Sequence, residues 1–238
     1  DRLPPFTPGP SYGPVLTPLE LSVLGVLPIL NPLLCPPTDT GTEPFLKWNL
    51  LFSSAMCQRS DDPPHVSWAR GRNDPATFPR VTQLTLIPCA KSSSNLPFII
   101  TVYASIPDEG VSCGDVIEHI SSVLYARTGG GVFECLGPQR KDLVAKAYRA
   151  NRSRTPGVPG GALGEGMRRL DLLGPESCWG GMGEVDGMRE IGAGVGMPWC
   201  TYEWFNVTTY PMTPEEARVH EERQRAVQEE HERIDRER

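Results

Sequence analysis

Four segments between Leu96 and Gly174 decide the fold: LPFIITVYA (96–104), SCGDVIEHISSVLYAR (112–127), PQRKDLVAKAYRANR (138–152) and MRRLDLLG (167–174). In the first, Phe98, Ile100 and Val102 recur at every second position and so share one face of a strand. In the second, Ser112 can cap a helix while Asp115, three residues on, completes a capping-box-like pair at the positive end of the dipole. Val116, Ile120, Val123 and Leu124 then form an apolar stripe at helical spacing, and Gly129, Gly130 and Gly131 stop it. The third segment opens on Pro138, suited to a first helical turn, and carries a stripe of Leu143, Val144, Ala147 and Tyr148. The fourth reads as a returning strand over 167–173. Strand, helix, helix, strand predicts an α+β domain in which both helices cover one face of a sheet.

Outward from that stretch, residues 81–88 alternate with Leu84 and Leu86 on one face, and the polar run 92–95 joins them to 98–104 as a long-looped hairpin. Phe45–Leu50 is a short strand candidate and Trp199–Val207 the last strand. The prediction is a mostly antiparallel sheet of about five strands in a single domain over 29–211, with long loops at 59–80, 155–166 and 180–198. Residues 1–28 form a Pro-rich arm, with Pro at 4, 5, 8, 10, 14, 18 and 28. It reads either as an extended ligand for an aromatic groove or as an arm laid over the domain through Leu19, Val23, Leu24 and Leu27. Thr213-Pro214-Glu215-Glu216 starts a charged, projecting C-terminal helix over 212–238. Its apolar marks, Val219, Ala226, Val227 and Ile234, fit a solvated helix or a thin partner-pairing seam.

Composition narrows the function classes. Pro (25) and Gly (24) together exceed a fifth of the 238 residues, and they cluster in the connections and tails. The net charge is −6, of which residues 215–238 hold −3, so the body is mildly acidic and lacks the overall basic footprint of phosphate neutralisation. The one basic stretch is Arg140, Lys141, Lys146, Arg149, Arg152 and Arg154, which reads as a solvated helix face or as a weak nucleic-acid patch. Seven dispersed Cys (35, 57, 89, 113, 135, 178, 200), with no CxxC pair and no grouping with His65, His119, His220 or His231, argue against a zinc site and for reduced thiols in an intracellular protein. Sequons at Asn151 and Asn206 keep a secreted alternative open. The longest apolar stretch, Val15–Leu34, is broken by Pro18, Glu20, Pro28, Asn31 and Pro32, so no membrane span is expected.

No constellation assembles into chemistry. Gly181, Gly183, Gly187, Gly192, Gly194 and Gly196 precede a strand instead of following one and opening a helix, so they read as a loop and not as a dinucleotide cradle. His119 lies one turn from Asp115 and near Cys113, a spacing that allows a hydrogen bond but supplies no nucleophile–base–orienter triad. No G-x-S-x-G or H-E-x-x-H occurs, and neither metal nor cofactor is expected. The aromatic run Trp199, Tyr202, Trp204 and Phe205 is the candidate binding region. In the last strand Cys200, Tyr202, Trp204 and Asn206 form the more apolar face and should meet the core, leaving Trp199, Thr201, Glu203 and Phe205 for a partner.

Several of these motifs occur together elsewhere. Asn31-Pro32-Leu33-Leu34, Phe45-Leu46-Lys47-Trp48-Asn49-Leu50, Leu84-Thr85-Leu86, Phe98 to Val102, Val111 to Val116 and Arg168 to Gly174 resemble the pattern of an uncharacterised family of basidiomycete fungal proteins, domain of unknown function 6699. The resemblance covers about 29–207, with Asn49 where Asp is usual. It supports the domain boundaries and implies no activity. The reading from the residues is a non-enzymatic protein-interaction module acting through the aromatic sheet region or the C-terminal helix. The alternatives are a hydrolase- or transferase-like enzyme drawing on His119, Asp115 or a Cys, and weak nucleic-acid binding through 140–154.

Overall fold

The computed structural model describes residues 13–38, 43–63, 66–89, 96–154, 158–185, 200–212, 216–219, 221–222 and 225. In chain order the elements are α1 (Pro18–Leu24), β1 (Ile29–Leu30), β2 (Leu46–Lys47), β3 (Gln58–Arg59), β4 (Thr77–Phe78), β5 (Gln83–Pro88), β6 (Ile100–Tyr103), α2 (Cys113–Tyr125), α3 (Gly130–Glu134), α4 (Pro138–Asn151), β7 (Cys178–Glu184) and β8 (Thr201–Val207). Both helices and sheets are present, so the α+β class holds. Residues 216–219, 221, 222 and 225 are helical, following the start signal at Thr213, and Glu216 pairs with Lys47 of β2 at 2.6 Å. The remainder of 212–238 beyond residue 225 lies outside the described residues, as does the first part of the arm.

The described part of that arm is not extended throughout, and of the four side chains expected to pack it Leu27 is half-buried. Thr17 and Glu20 form a reciprocal capping box, Pro18 occupies the first turn, and Gly25 closes α1 in the left-handed conformation. Leu21 is its buried residue, whereas Leu19, Val23 and Leu24 face solvent. The reason is the preceding chain: Leu16 bridges Val81, accepting from Thr82 and donating to Arg80, which sets the rotation of the helix that follows.

The single five-stranded sheet is corrected. A four-stranded sheet runs in the order β6-β5-β8-β7, and two separate two-stranded ribbons pair β1 with β4 and β2 with β3. The hairpin of β5 and β6 forms in antiparallel register with Leu84 opposite Val102 and Leu86 opposite Ile100. The pairing of β5 with β8 is parallel, because the chain between them crosses through α2–α4 and re-enters from the same end. Segment 45–50 does not add a full strand. Leu46 and Lys47 pair with β3, and the chain then borders β7 through Trp179 N to Trp48 O (2.8 Å) and Leu50 N to Ser177 O (2.8 Å). Residues 180–184, expected as loop from their glycines, belong to β7. Between Trp179 and Gly181 the register slips, and Gly181 takes φ +106 against the Cys35–Pro36 backbone. Glycine is there because a Cβ would lie 2.5 Å from the Pro36 nitrogen.

The helices also need correction. α2 is capped as expected by Ser112 and Asp115, and its Val116, Ile117, Ile120 and Leu124 join Leu84, Leu86, Ile100 and Val102 in one core. α4 forms at the expected place, but it does not lay an apolar stripe on the sheet: Val144 is buried while Leu143 is 42% exposed. It leans on the stretch expected as a returning strand, which is a 3-10 turn over Arg169–Leu173. Asp171 folds that stretch. Fully buried, it accepts from Arg168 N (2.8 Å), Asn151 Nδ2 (3.0 Å) and both terminal nitrogens of Arg152 (2.8 and 3.0 Å). Arg152 further donates to Tyr148 O, Gly164 O and Gly166 O, so the pair is saturated with hydrogen bonds. A period-two reading of MRRLDLLG fails because this buried carboxylate needs local donors that only a turn can aim at it.

This packing sets the cost of two substitutions. Asp171→Ala, which strands the Arg152 guanidinium in the interior, should lower the unfolding free energy in a urea titration by about 3–5 kcal/mol; a loss under ~1 kcal/mol would show that Arg152 is satisfied elsewhere. Gly181→Ala should cost about 1–3 kcal/mol through backbone strain alone, with the Pro36 clash added. Gly129→Ala, with open space around its position, should shift the unfolding midpoint little. Equal effects at the two glycines would refute the close-approach argument.

Candidate interaction surface

The sheet has two unlike faces. Leu84 and Leu86 of β5, Ile100 and Val102 of β6, Met182 of β7, and Cys200, Tyr202, Trp204 and Asn206 at β8 are all buried on the helix side. This is the face of 199–207 expected to meet the core. Trp204 stacks on Trp179 (centroids 6.3 Å apart, planes within 16°), and Trp179 meets Trp48 at 6.5 Å. Tyr202 donates its hydroxyl to Pro28 O at 2.6 Å, and burial pushes its phenol well above the ordinary tyrosine range. Tyr202 and Trp204 therefore hold the arm and the β7 edge against the core. Trp199 lies outside the described residues.

Phe205 is different. It stands on the opposite face, half-buried, with its ring against Gly183 and its Cβ near Gly180. Strand alternation and register place Gln83, Thr85 and Ile87 of β5, Ile99, Thr101 and Tyr103 at β6, and Glu203 of β8 on that same face. Ile99 is 64% exposed and Tyr103 57%, while Thr201 is buried at the start of β8. The apolar part of this face runs from Tyr103 and Ile99 across Ile87 to Phe205. Ile87, Ile99 and Tyr103 were not among the candidate residues read from the sequence. The signal lay in two apolar doublets that interrupt strict alternation. Leu86-Ile87 and Ile99-Ile100 each put one apolar residue on the core face and one on the outer face.

The acid–base reading around α2 does not assemble. His119 Nδ1 lies 2.9 Å from the main-chain oxygen of Asp115, so it meets the backbone and not the carboxylate. That carboxylate is occupied: it accepts from Ser112 N at 2.9 Å as the helix cap and from the Ser105 hydroxyl. A cleft of about 260 Å³ opens beside it, lined by Arg72, Ser105, Glu109, Ser112, Asp115 and Glu118, and His119 is not part of its wall. Arg72 pairs with Glu118, which also accepts from Ser54 Oγ at 2.9 Å. The thiols are no better placed. Burial pushes Cys35 and Cys200 up to about 11, Cys57 to about 12, and fully buried Cys113 well above its usual value. Among the described residues no group of three or more His, Cys, Asp or Glu could hold a metal ion.

Of the basic stretch 140–154, Arg140 and Arg152 are turned to structural use, whereas Lys146, Arg149 and Arg154 are exposed. Arg140 donates to Leu172 O and Arg152 to Asp171, Arg149 donates back to Ala145 O at 3.2 Å, and Lys141 and Lys146 pair with Glu134 and Asp142. Both sequon asparagines are buried; Asn151 donates to Asp171 and Asn206 to Glu176 O. Among the described residues no helix is long and apolar enough to cross a membrane. Cys135 is exposed, Cys35 half-buried and the other five thiols buried. With the fold intact, Cys135 should therefore react with a maleimide about tenfold faster than any of the others. Uniform labelling, read by intact-mass spectrometry, would contradict that arrangement.

No curated protein and no solved structure matches the chain. A family model does match, over residues 46–190, a span that takes in the β2–β3 ribbon, the β5–β6 hairpin, α2–α4, the Asp171 turn and β7. On that match the chain belongs to the family of unknown function (DUF6699).

Proposed function

We propose that this protein is a non-enzymatic protein-interaction module whose contact surface is the open face of the four-stranded sheet. The observation that carries the reading is the run of Ile87, Ile99, Tyr103 and Phe205 on the side of the sheet away from the helices. Exposed and half-exposed apolar side chains gathered on one surface favour a partner that removes them from water, at about 25 cal/mol per Å² of apolar area. An aromatic pair, Tyr103 and Phe205, gives such a surface anchors with little side-chain entropy to lose. Of Trp199, Tyr202, Trp204 and Phe205, Phe205 fits this role directly, and Tyr202 and Trp204 support the strand from beneath. The mostly buried thiols and the burial of both sequon asparagines support an intracellular setting for the module.

The test replaces the face without touching the core. Ile87→Lys and Phe205→Lys, each confirmed folded by circular dichroism and thermal unfolding, should lose the proteins that co-purify with the wild type from its source cells, with ~10-fold or greater loss of recovery for a hot-spot position. Partners retained by both folded variants would remove this face from consideration. Turnover of a substrate that survives both substitutions but not a change in the Arg72–Glu118 cleft would favour the enzyme reading instead.

A further inference from the structure

We infer that β6 is a pairing edge and that its occupant is a second copy of this chain, joined by antiparallel β6–β6 addition about a two-fold axis at Thr101. The inference goes beyond the open-face reading, since it concerns the edge of the sheet and its backbone groups.

The two edges of the four-stranded sheet are treated differently. At the β7 edge the chain supplies its own cover, with Trp48 and Leu50 bonded to Trp179 and Ser177. At the other edge β6 is paired on one side alone. Its register with β5 and the bond from Ala104 N to Thr82 O set the direction of its main-chain groups: those of residues 100, 102 and 104 point to β5, so those of Thr101 and Tyr103 point outward. No partner for these outward groups occurs among the described residues. Natural edge strands are usually blunted by a charge, a proline or a bulge. Residues 99–103, Ile-Ile-Thr-Val-Tyr, contain none of these, and all five are β-branched or aromatic.

What an edge of this kind accepts is an extended chain, and its own sequence is a self-complementary one. An antiparallel partner centred on Thr101 places Thr101 opposite its symmetry mate, Ile99 opposite Tyr103, and Tyr103 opposite Ile99. The outward groups of Thr101 then form a reciprocal hydrogen-bonded pair. Two aromatic–β-branched cross-strand contacts flank it on the same face, and no like charges oppose one another. Ile99 and Tyr103, the most exposed apolar residues of the sheet at 64% and 57%, are the two side chains this pairing covers. The result is one continuous sheet across both copies, whose open face carries Ile87 and Phe205 from each, with Ile99 and Tyr103 set side by side across the axis on that same face.

The experiment is sedimentation equilibrium of the full chain. The wild type should show a species of twice 26.1 kDa at tens of micromolar. Thr101→Pro removes an outward N–H without removing any β5 bond and should yield a folded monomer. Ile99→Lys and Tyr103→Glu should each weaken association by about tenfold or more. Combining them sets Lys opposite Glu across the axis and should restore a dimer that dissociates as salt rises. In one chain the two positions are too far apart to pair, so the rescue reports the register. A wild type that stays monomeric through the range, a dimer that survives Thr101→Pro in a folded protein, or a double variant that remains monomeric overturns the proposal. Ile87→Lys should leave the dimer intact; its loss there would place the contact on the open face and overturn the edge assignment.

Discussion

The buried ion pair between Asp171 and Arg152 holds the middle of this structure in place. A carboxylate with no exposure is tolerable only when its oxygens are occupied, and here four N–H groups from two segments converge on it. They come from the end of α4 and from the chain just before the 169–173 turn, so the charge ties a peripheral helix to a loop that would otherwise drift. Arg168 extends the tie, donating to Tyr125 O at the end of α2 and to Leu163 O. An apolar stripe would have let α4 settle anywhere along a greasy groove; a saturated carboxylate gives it one position. Specificity of this kind is a property of polar networks whose members are all satisfied.

Around that anchor the sheet is built from segments far apart in the chain. The hairpin of β5 and β6 is local, but β8 enters beside β5 in parallel register and brings Trp204 onto Trp179. The tryptophan stack then recruits Trp48, whose indole N–H reaches Phe52 O at 3.0 Å, and the β2 segment closes the β7 edge behind it. Gly180 and Gly181 make this possible, since the strand must pass close to both Phe205 and Pro36. The aromatic richness of the C-terminal part is thus directed mostly inward, joining the ribbons to the sheet. Phe205 alone of the described candidates is left to the outside.

One face of the sheet is committed to the core; on the other, among the described residues, Ile99 and Tyr103 are exposed and Ile87 and Phe205 half-buried. Among the described residues its chemistry is apolar, with a few hydroxyls, the Gln83 amide and the Glu203 carboxylate. The chain as a whole is acidic, and Arg140 and Arg152 of its basic stretch are used inside the fold, on Leu172 O and Asp171. In the polar cleft at the start of α2, the Asp115 carboxylate is engaged by Ser105 and Ser112 and that of Glu118 by Arg72 and Ser54. Its Asp115 wall is also the N-terminal cap of α2, which fixes that carboxylate in place.

Much of the secondary structure was legible because it depends on neighbours in sequence. The Ser112–Asp115 cap, the start of α4 at Pro138, the hairpin of β5 and β6, and the inward face of Cys200, Tyr202, Trp204 and Asn206 all follow from spacing, since alternation and 3.6-residue periodicity are local rules. What local rules could not supply was the partner of each segment. MRRLDLLG reads as a strand until Arg152 and Asn151, about twenty residues away, require its carboxylate to turn inward. The glycines at 180–183 read as loop until Phe205 and Pro36 show what they make room for. The arm reads either as an extended ligand or as a cover laid down through Leu19, Val23, Leu24 and Leu27, until α1 follows the Leu16–Val81 bridge and buries Leu21. Residue order was thus enough to place the local elements and to assign the faces within each strand. Sheet order, the split into three sheets and the open apolar face came only with the folded chain, because they depend on contacts between residues distant in sequence.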